Sequence, residues 1–174
     1  MKIIPSLLAA ASFACLSAVP TLAADKPSDP QIAHIAYTAG VIDIDAARLA
    51  LSKTKNKDVK SFAQSMEKDH EAVNEQALAL VKKLNVTPED NATSQALTKA
   101  AKDKQAELSK LDGAAFDKAY IDNEVAYHKQ VNGALKTLLI PSAENKQLKG
   151  LLETGLKLFE GHQQHAEHMA MELK

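Results

Sequence analysis

Residues 59–84 read VKSFAQSMEKDHEAVNEQALALVKKL, and the fold follows from how their apolar members recur. Val59, Phe62, Ala63, Met66, His70, Val73, Ala77, Leu80, Val81 and Leu84 are spaced so that, at about 100° per residue, they share an arc of roughly 100°. This is a helix with one face turned to a core, and His70 stands in the middle of that face. Burying an imidazole without a partner costs about 1–3 kcal/mol, so the seam must bring it a carboxylate, another histidine, a carbonyl, a water or a metal ion.

The same period runs outward in both directions. Ile32, Ile35, Ala39, Ile42, Ala46, Leu49 and Ala50 predict a helix from Gln31 to about Thr54, with Asp29 as its cap and Pro30 in its first turn. A short turn at 53–57 makes these two helices an antiparallel hairpin. After a loop at 85–91, in which Thr87-Pro88-Glu89-Asp90 offers a turn of helix, Ser94 to Leu111 forms a weaker, alanine- and lysine-rich helical stretch expected at an edge. Asp112-Gly113 breaks it. Phe116, Tyr120, Glu124, Tyr127, Val131, Leu135 and Leu138 mark the next helix, expected to stop at Pro141. Ser142 is then read as the cap of a last helix carrying Leu148, Leu152, Phe159, Ala166 and Met169. No strand pattern or phosphate-binding glycine loop interrupts this period. The fold class is all-α: a ferritin-like up-and-down four-helix bundle with a short or kinked extra helical segment before the third long helix.

The N-terminus has the composition of a secretory signal. Lys2 precedes an apolar run from Ile3 to Val19, and Thr21-Leu22-Ala23 places small residues at the cleavage positions. Residues 1–24 are therefore read as a signal peptide, 25–30 as a linker and 31–174 as one helical bundle domain, periplasmic or secreted. The run is too short and interrupted for a membrane span, so no stable membrane insertion is expected after processing. Cys15 lies within it, and Ser12 stands where a lipoprotein signal wants a branched aliphatic residue. Processing leaves a cysteine-free chain, which rules out disulfides, thiolate ligands and a thiol nucleophile. With a net charge of −1, one arginine and no basic stripe, nothing points to nucleic acid. The sequence identifies no protein partner and is compatible with a homo-oligomer.

Chemistry belongs where core-facing positions are polar. Glu124 and His128 lie near the centre of their helix's apolar arc, one turn apart, and His162 falls within the arc of the last helix. Asp43 sits at the margin of the first helix's apolar face and Asp45 on its other flank. Asp43 and His70 lie at nearly equal heights from their shared turn, whereas the expected stop at Pro141 separates His128 and His162 by roughly 13 Å in straight helices. The Glu67-Lys68-Asp69-His70 run resembles half of a di-metal Glu-x-x-His motif, yet Glu67 points about 90° from the seam and Glu124 and His128 are spaced i, i+4. His70, Glu124, His128, His162 and Asp43 are thus read either as a hydrogen-bonded polar layer that fixes register or as ligands of a divalent transition metal. Asp69 and Asn74 flank the seam, bonding across the helix boundary or orienting His70. His162, His165 and His168 admit a second reading as a surface metal-capturing tract, against the plain one of cations at a helix C-terminus. Tyr37, Tyr120 and Tyr127 are read first as core aromatics.

The run Met66-Glu67-Lys68-Asp69-His70 with Asn74, then Phe116-Asp117-Lys118-Ala119-Tyr120 with His128, and His162 with Ala166, resembles the exported bacterial proteins of the domain of unknown function 4142 family. The resemblance covers about Ile32 to Leu173. It implies a ferritin-like bundle in the periplasm or envelope and carries no activity. It maps Asp69, His70, Asn74, Asp117, Tyr120, His128 and His162 as pattern positions, with Asp69, Asn74, Asp117 and Tyr120 in structural or ligand-orienting roles. Asp43 and Asp45 stand where the family prefers glutamate.

Three function classes follow: a metal-binding or redox protein, a non-catalytic envelope stress or interaction module, and a hydrolytic or oxidative enzyme. The last has least support, since no Ser-His-Asp constellation and no thiol is legible.

Overall fold

The structure, a computed structural model, describes residues 26–173. The expected signal peptide, its Cys15 and the first residue of the linker lie outside the described residues. Helix α1 spans Asp29–Lys53, α2 Lys57–Lys83, α3 Ala92–Leu108 and α4 Gly113–Ala134. A π-helical turn, Leu135–Leu139, and a single α-turn, α5 (Ile140–Ser142), lead to α6, Lys146–Glu172. No strand occurs among the described residues, and none of the described helices is long and apolar enough to cross a membrane.

Local chemistry sets each start. Ser28, not Asp29, caps α1: its backbone is extended, its hydroxyl faces the Gln31 amide, and the Gln31 side chain returns a bond to the Ser28 N–H at 3.1 Å. Asp29 is thereby released, and its carboxylate accepts from the backbone N–H groups of Glu144 and Asn145 at 3.0 and 2.8 Å, joining the first helix to the last hairpin. Asn56 caps α2 by accepting from the amides of Asp58 and Val59. The segment Thr87-Pro88-Glu89-Asp90 forms no helical turn; Asp90 instead accepts from the Ser94 hydroxyl and the Gln95 amide, and α3 begins at Ala92 behind an Asn91 capping box. Gly113 opens α4 with φ +57°, a conformation that favours glycine.

The segment before the third long helix is a 17-residue helix laid along α1, close in length to the stretch expected from Ser94 to Leu111 but begun two residues earlier and ended three sooner. At one end Glu89 donates its N–H to the Pro30 carbonyl; at the other, Lys53 Nζ donates to the Ser109 carbonyl at 3.1 Å. Helix α3 therefore returns the chain to the end where α1 finishes, and α4 runs in the same direction as α2. Around the bundle α1 neighbours α2 and α4, and α6 neighbours the same two, so each long helix lies between antiparallel partners. This is the one-crossover form of the ferritin-like bundle.

Pro141 does not stop the fourth helix. Proline has no N–H and its ring crowds the carbonyl four residues back. The widened turn just before it, in which the Ile140 N–H reaches the Leu135 carbonyl five residues away, lets the helix pass. The reversal falls at 143–145, and Asn145 rather than Ser142 caps α6.

The core is in two parts. Phe62, Met66, Phe116, Tyr120, Ile121 and Ala166 belong to an apolar cluster toward the α1–α2 turn, while Ile32, Ile35, Leu135, Leu139, Leu152 and Phe159 form another toward the α4–α6 turn. Side chains of this size contribute about 1.5–3 kcal/mol each on burial, so the clusters hold the ends of the bundle. Between them lies a layer of acids and histidines.

Candidate metal centre

Each long helix supplies the layer with at least one inward polar group: Asp43 from α1, His70 from α2, Glu124 and His128 from α4, and His162 from α6. All five are buried, Asp43, Glu124 and His128 to within 1% exposure. Asp43 Oδ2 lies 3.5 Å from His70 Nε2 and 3.6 Å from His128 Nε2. Nitrogens of His70, His128 and His162 lie within 4.8 Å of one another, and so do ligand atoms of Asp43, Glu124 and His128.

Neighbours fix two of the rings. His128 Nδ1 lies 3.0 Å from the Glu124 carbonyl, its ordinary partner one turn back, so Nδ1–H donates and Nε2 keeps its lone pair toward Asp43. His162 Nε2 lies 3.1 Å from Asp69 Oδ2, which assigns the proton to Nε2 and leaves Nδ1 bare. His70 stacks on Phe159 with centroids 4.5 Å apart and planes 7° apart, so packing holds its plane. Both nitrogens of His70, Nε2 of His128, Nδ1 of His162, both oxygens of Asp43 and Oε2 of Glu124 make no hydrogen bond to another protein group.

Burial decides the charges. Desolvation pushes the Asp43 carboxyl up from 3.8 to about 8. Glu124 is raised well above the carboxylate range by burial and then by the charge of Asp43. His70 is held well below its ordinary value by burial and by His128 and His162, and burial takes His128 down to about 4. Burial thus favours the uncharged form of each group, protonated acids facing neutral imidazoles.

The height difference expected between His128 and His162 does not occur. With the reversal at 143–145, the two residues stand sixteen before and eighteen after its middle, and their ring centroids are 5.6 Å apart. Asp69 does not orient His70; it bonds His162 on the neighbouring helix. Asn74 donates to the Tyr37 carbonyl at 3.3 Å and packs on Gly40, away from His70. Asp45 and Glu67 stay outside, Glu67 accepting from Arg48 at 2.8 Å. The His162, His165 and His168 tract is not one unit: His165 packs edge-on to Phe62, while exposed His168 pairs with Glu172.

Asp117 is buried on α4 with Oδ1 unbonded, and Tyr120, one turn before Glu124, is buried with an unbonded hydroxyl kept neutral by burial and the nearby acids. Tyr127 donates to the Ala39 carbonyl at 2.8 Å. Sequence reasoning missed Asn132, which is buried and donates to Gln163 at 3.0 Å. The signal was present, since Tyr120, Glu124, His128 and Asn132 recur every four residues on one face.

No curated protein matches the chain in sequence. In fold it is similar to the crystal structure of a DUF305 protein from Streptomyces coelicolor, described as secreted, with TM-score 0.70 over 82% of this chain and 91% of that one. The two are 10% identical, so the likeness concerns the fold alone. The family model for the domain of unknown function DUF4142 matches residues 16–169, a span that contains every residue of the buried layer, and the chain belongs to that family.

Proposed function

We propose that this is an exported protein that holds one divalent transition-metal ion between its four long helices, with Asp43, His70, His128 and His162 as ligands and Glu124 as the second balancing carboxylate. The observation that carries the reading is the spacing of unpaired donors. Asp43 Oδ2 is 3.5 and 3.6 Å from two imidazole nitrogens, too far for good hydrogen bonds. Ligands at about 2.0–2.1 Å from a tetrahedral ion stand about 3.3–3.4 Å from each other, close to this spacing. Imidazole and carboxylate without thiolate suit zinc, copper, iron or manganese. Two deprotonated carboxylates match the charge of a divalent ion. The fold likeness to a protein described as secreted and the signal-like N-terminus support a periplasmic or secreted location.

The test is metal analysis and calorimetry on protein purified without a histidine tag. The expected result is one ion per chain and a rise in melting temperature with at least one of manganese, iron, copper and zinc. If none of the four raises it, the layer is a purely structural polar layer and the metal reading fails.

A further inference from the structure

A largely apolar chamber of about 120 Å³, open at one side, lies against the polar layer on the side of the π-helical turn. Its wall is largely aliphatic, including Val73, Ala77, Val131, Leu135, Leu139 and Leu152, and its polar end is formed by Asp43, His70 and His128. These three are buried, and atoms of each lack a hydrogen-bond partner. Thr93, Gln130 and Leu138, all exposed, line it on the outer side and mark its mouth. A cavity of about 150 Å³ lined by leucine, isoleucine and phenylalanine alone admits benzene, so the aliphatic part of this wall suits an apolar body of similar or smaller size.

We propose that this chamber binds a small neutral molecule of about four to six heavy atoms, with an apolar body and a single polar atom. The body packs on Val73, Val131 and Leu135, and the polar atom lies against Asp43, His70 and His128. Two features of the site set this class. The aliphatic wall offers an ionic ligand no compensation for lost water, whereas the unbonded oxygens and nitrogens at one end have capacity for one polar atom. The polar atom's role as an added metal ligand rests on the metal reading above; occupancy of the chamber does not.

The experiment is a methyl-resolved NMR titration of the full mature chain with 1-butanol, and separately with xenon, each with and without zinc. Both probes should give saturable shifts at the methyls of Val73, Val131 and Leu135, and butanol alone should perturb the ring protons of His70 and His128. Val73→Phe and Val131→Phe each fill the chamber and should weaken butanol binding by at least about tenfold while zinc still binds. Two variants guard against misfolding of either one. Shifts that do not saturate, that appear only at exposed Leu78 or Leu158, or that survive both substitutions overturn the proposal. If none of manganese, iron, copper and zinc binds while butanol saturates the chamber, the metal reading falls and the ligand site stands. If zinc binds and neither probe does, the reverse holds.

Discussion

Asp69 on α2 and His162 on α6 meet at 3.1 Å, Oδ2 to Nε2, at the rim of the buried layer. This contact settles which nitrogen of His162 carries the proton, and so which one faces the centre. On the metal reading, adjacent residues of one helix serve different ends: His70 would offer a ligand atom, while Asp69 would position the ligand of another helix. Carboxylates behind metal-bound imidazoles raise ligand basicity and hold the ring.

Asp69→Ala should therefore lower metal affinity by about 10–100-fold without changing the stoichiometry of one ion per chain. Asp69→Asn keeps an oxygen that accepts from Nε2–H and should recover much of the loss. Competition titration against a chelator measures both. Equal losses for Ala and Asn would show that charge alone, not orientation, is at work.

His70→Leu should leave the metal-free protein as stable as the wild type or more so, because an apolar side chain replaces a buried ring whose nitrogens have no hydrogen-bond partner. It should abolish stabilisation by metal, which for the wild type reaches about 2.7 kcal/mol at a hundredfold excess over the dissociation constant. Thermal melts with and without metal read both effects. A variant that still gains stability from the ion removes His70 from the ligand set.

The pH dependence has a defined sign. Asp43 has a folded pKa of about 8 against 3.8, so its contribution to stability is complete below about pH 4 and is lost as pH rises toward 8. His128 has a folded pKa of about 4 against 6.5, so its contribution is present above 6.5 and lost as pH falls toward 4. The two slopes oppose each other between 4 and 6.5, and above 6.5 the raised acids, Asp43 and with the same sign Glu124, act without opposition from the imidazoles. Metal-free protein should lose stability from pH 6.5 to 8, at up to about 1.4 kcal/mol per pH unit from Asp43. Binding a cation displaces that proton, so metal affinity should climb over the same interval. Urea titrations at pH 6, 7 and 8 check the first statement, and calorimetry in buffers of different ionisation enthalpy checks the second.

Glu124 and His128 should behave as one unit. Both are buried to within 1% exposure and share a backbone hydrogen bond and a 3.6 Å carboxylate approach. A double-mutant cycle with Glu124→Gln and His128→Gln should give a coupling energy of about 1 kcal/mol or more, against a few tenths for an exposed pair. Additive effects would remove α4 from the coupled layer.

Gly40→Ala should destabilise the protein by about 1–3 kcal/mol, because a Cβ there runs into the Asn74 side-chain amide, which is held by the Tyr37 carbonyl. Adding Asn74→Ala should relieve most of the strain. Denaturant melts of the single and double variants compare the two.

The four long helices and the inward aim of His70, Glu124, His128 and His162 were legible because each follows from the spacing within one helix, whereas Asp43, read at the margin of its apolar face, is fully inside. Relations between helices were less so. Treating Pro141 as a stop placed His162 too far from His128, since a π-helical turn, which depends on five-residue bonding rather than on a composition signal, carries the helix past it. That Asp69 bonds across the helix boundary was legible, but its partner His162 was not, because a single helical wheel shows which way a side chain points and not which neighbour waits there. Ser28 and Asp29 both suit a helix start, and only the fold shows that one caps α1 while the other is committed to the amides at 144 and 145.

That last contact bears on how the chain tolerates trimming. A protease that nibbles the N-terminus as far as Pro27 leaves the bundle's fastenings whole. Two residues more remove the cap of α1 and, with Asp29, the clasp on the amides of Glu144 and Asn145. The damage would then surface over a hundred residues downstream, as a loosened α4–α6 corner, while the new end of the chain still looked helical.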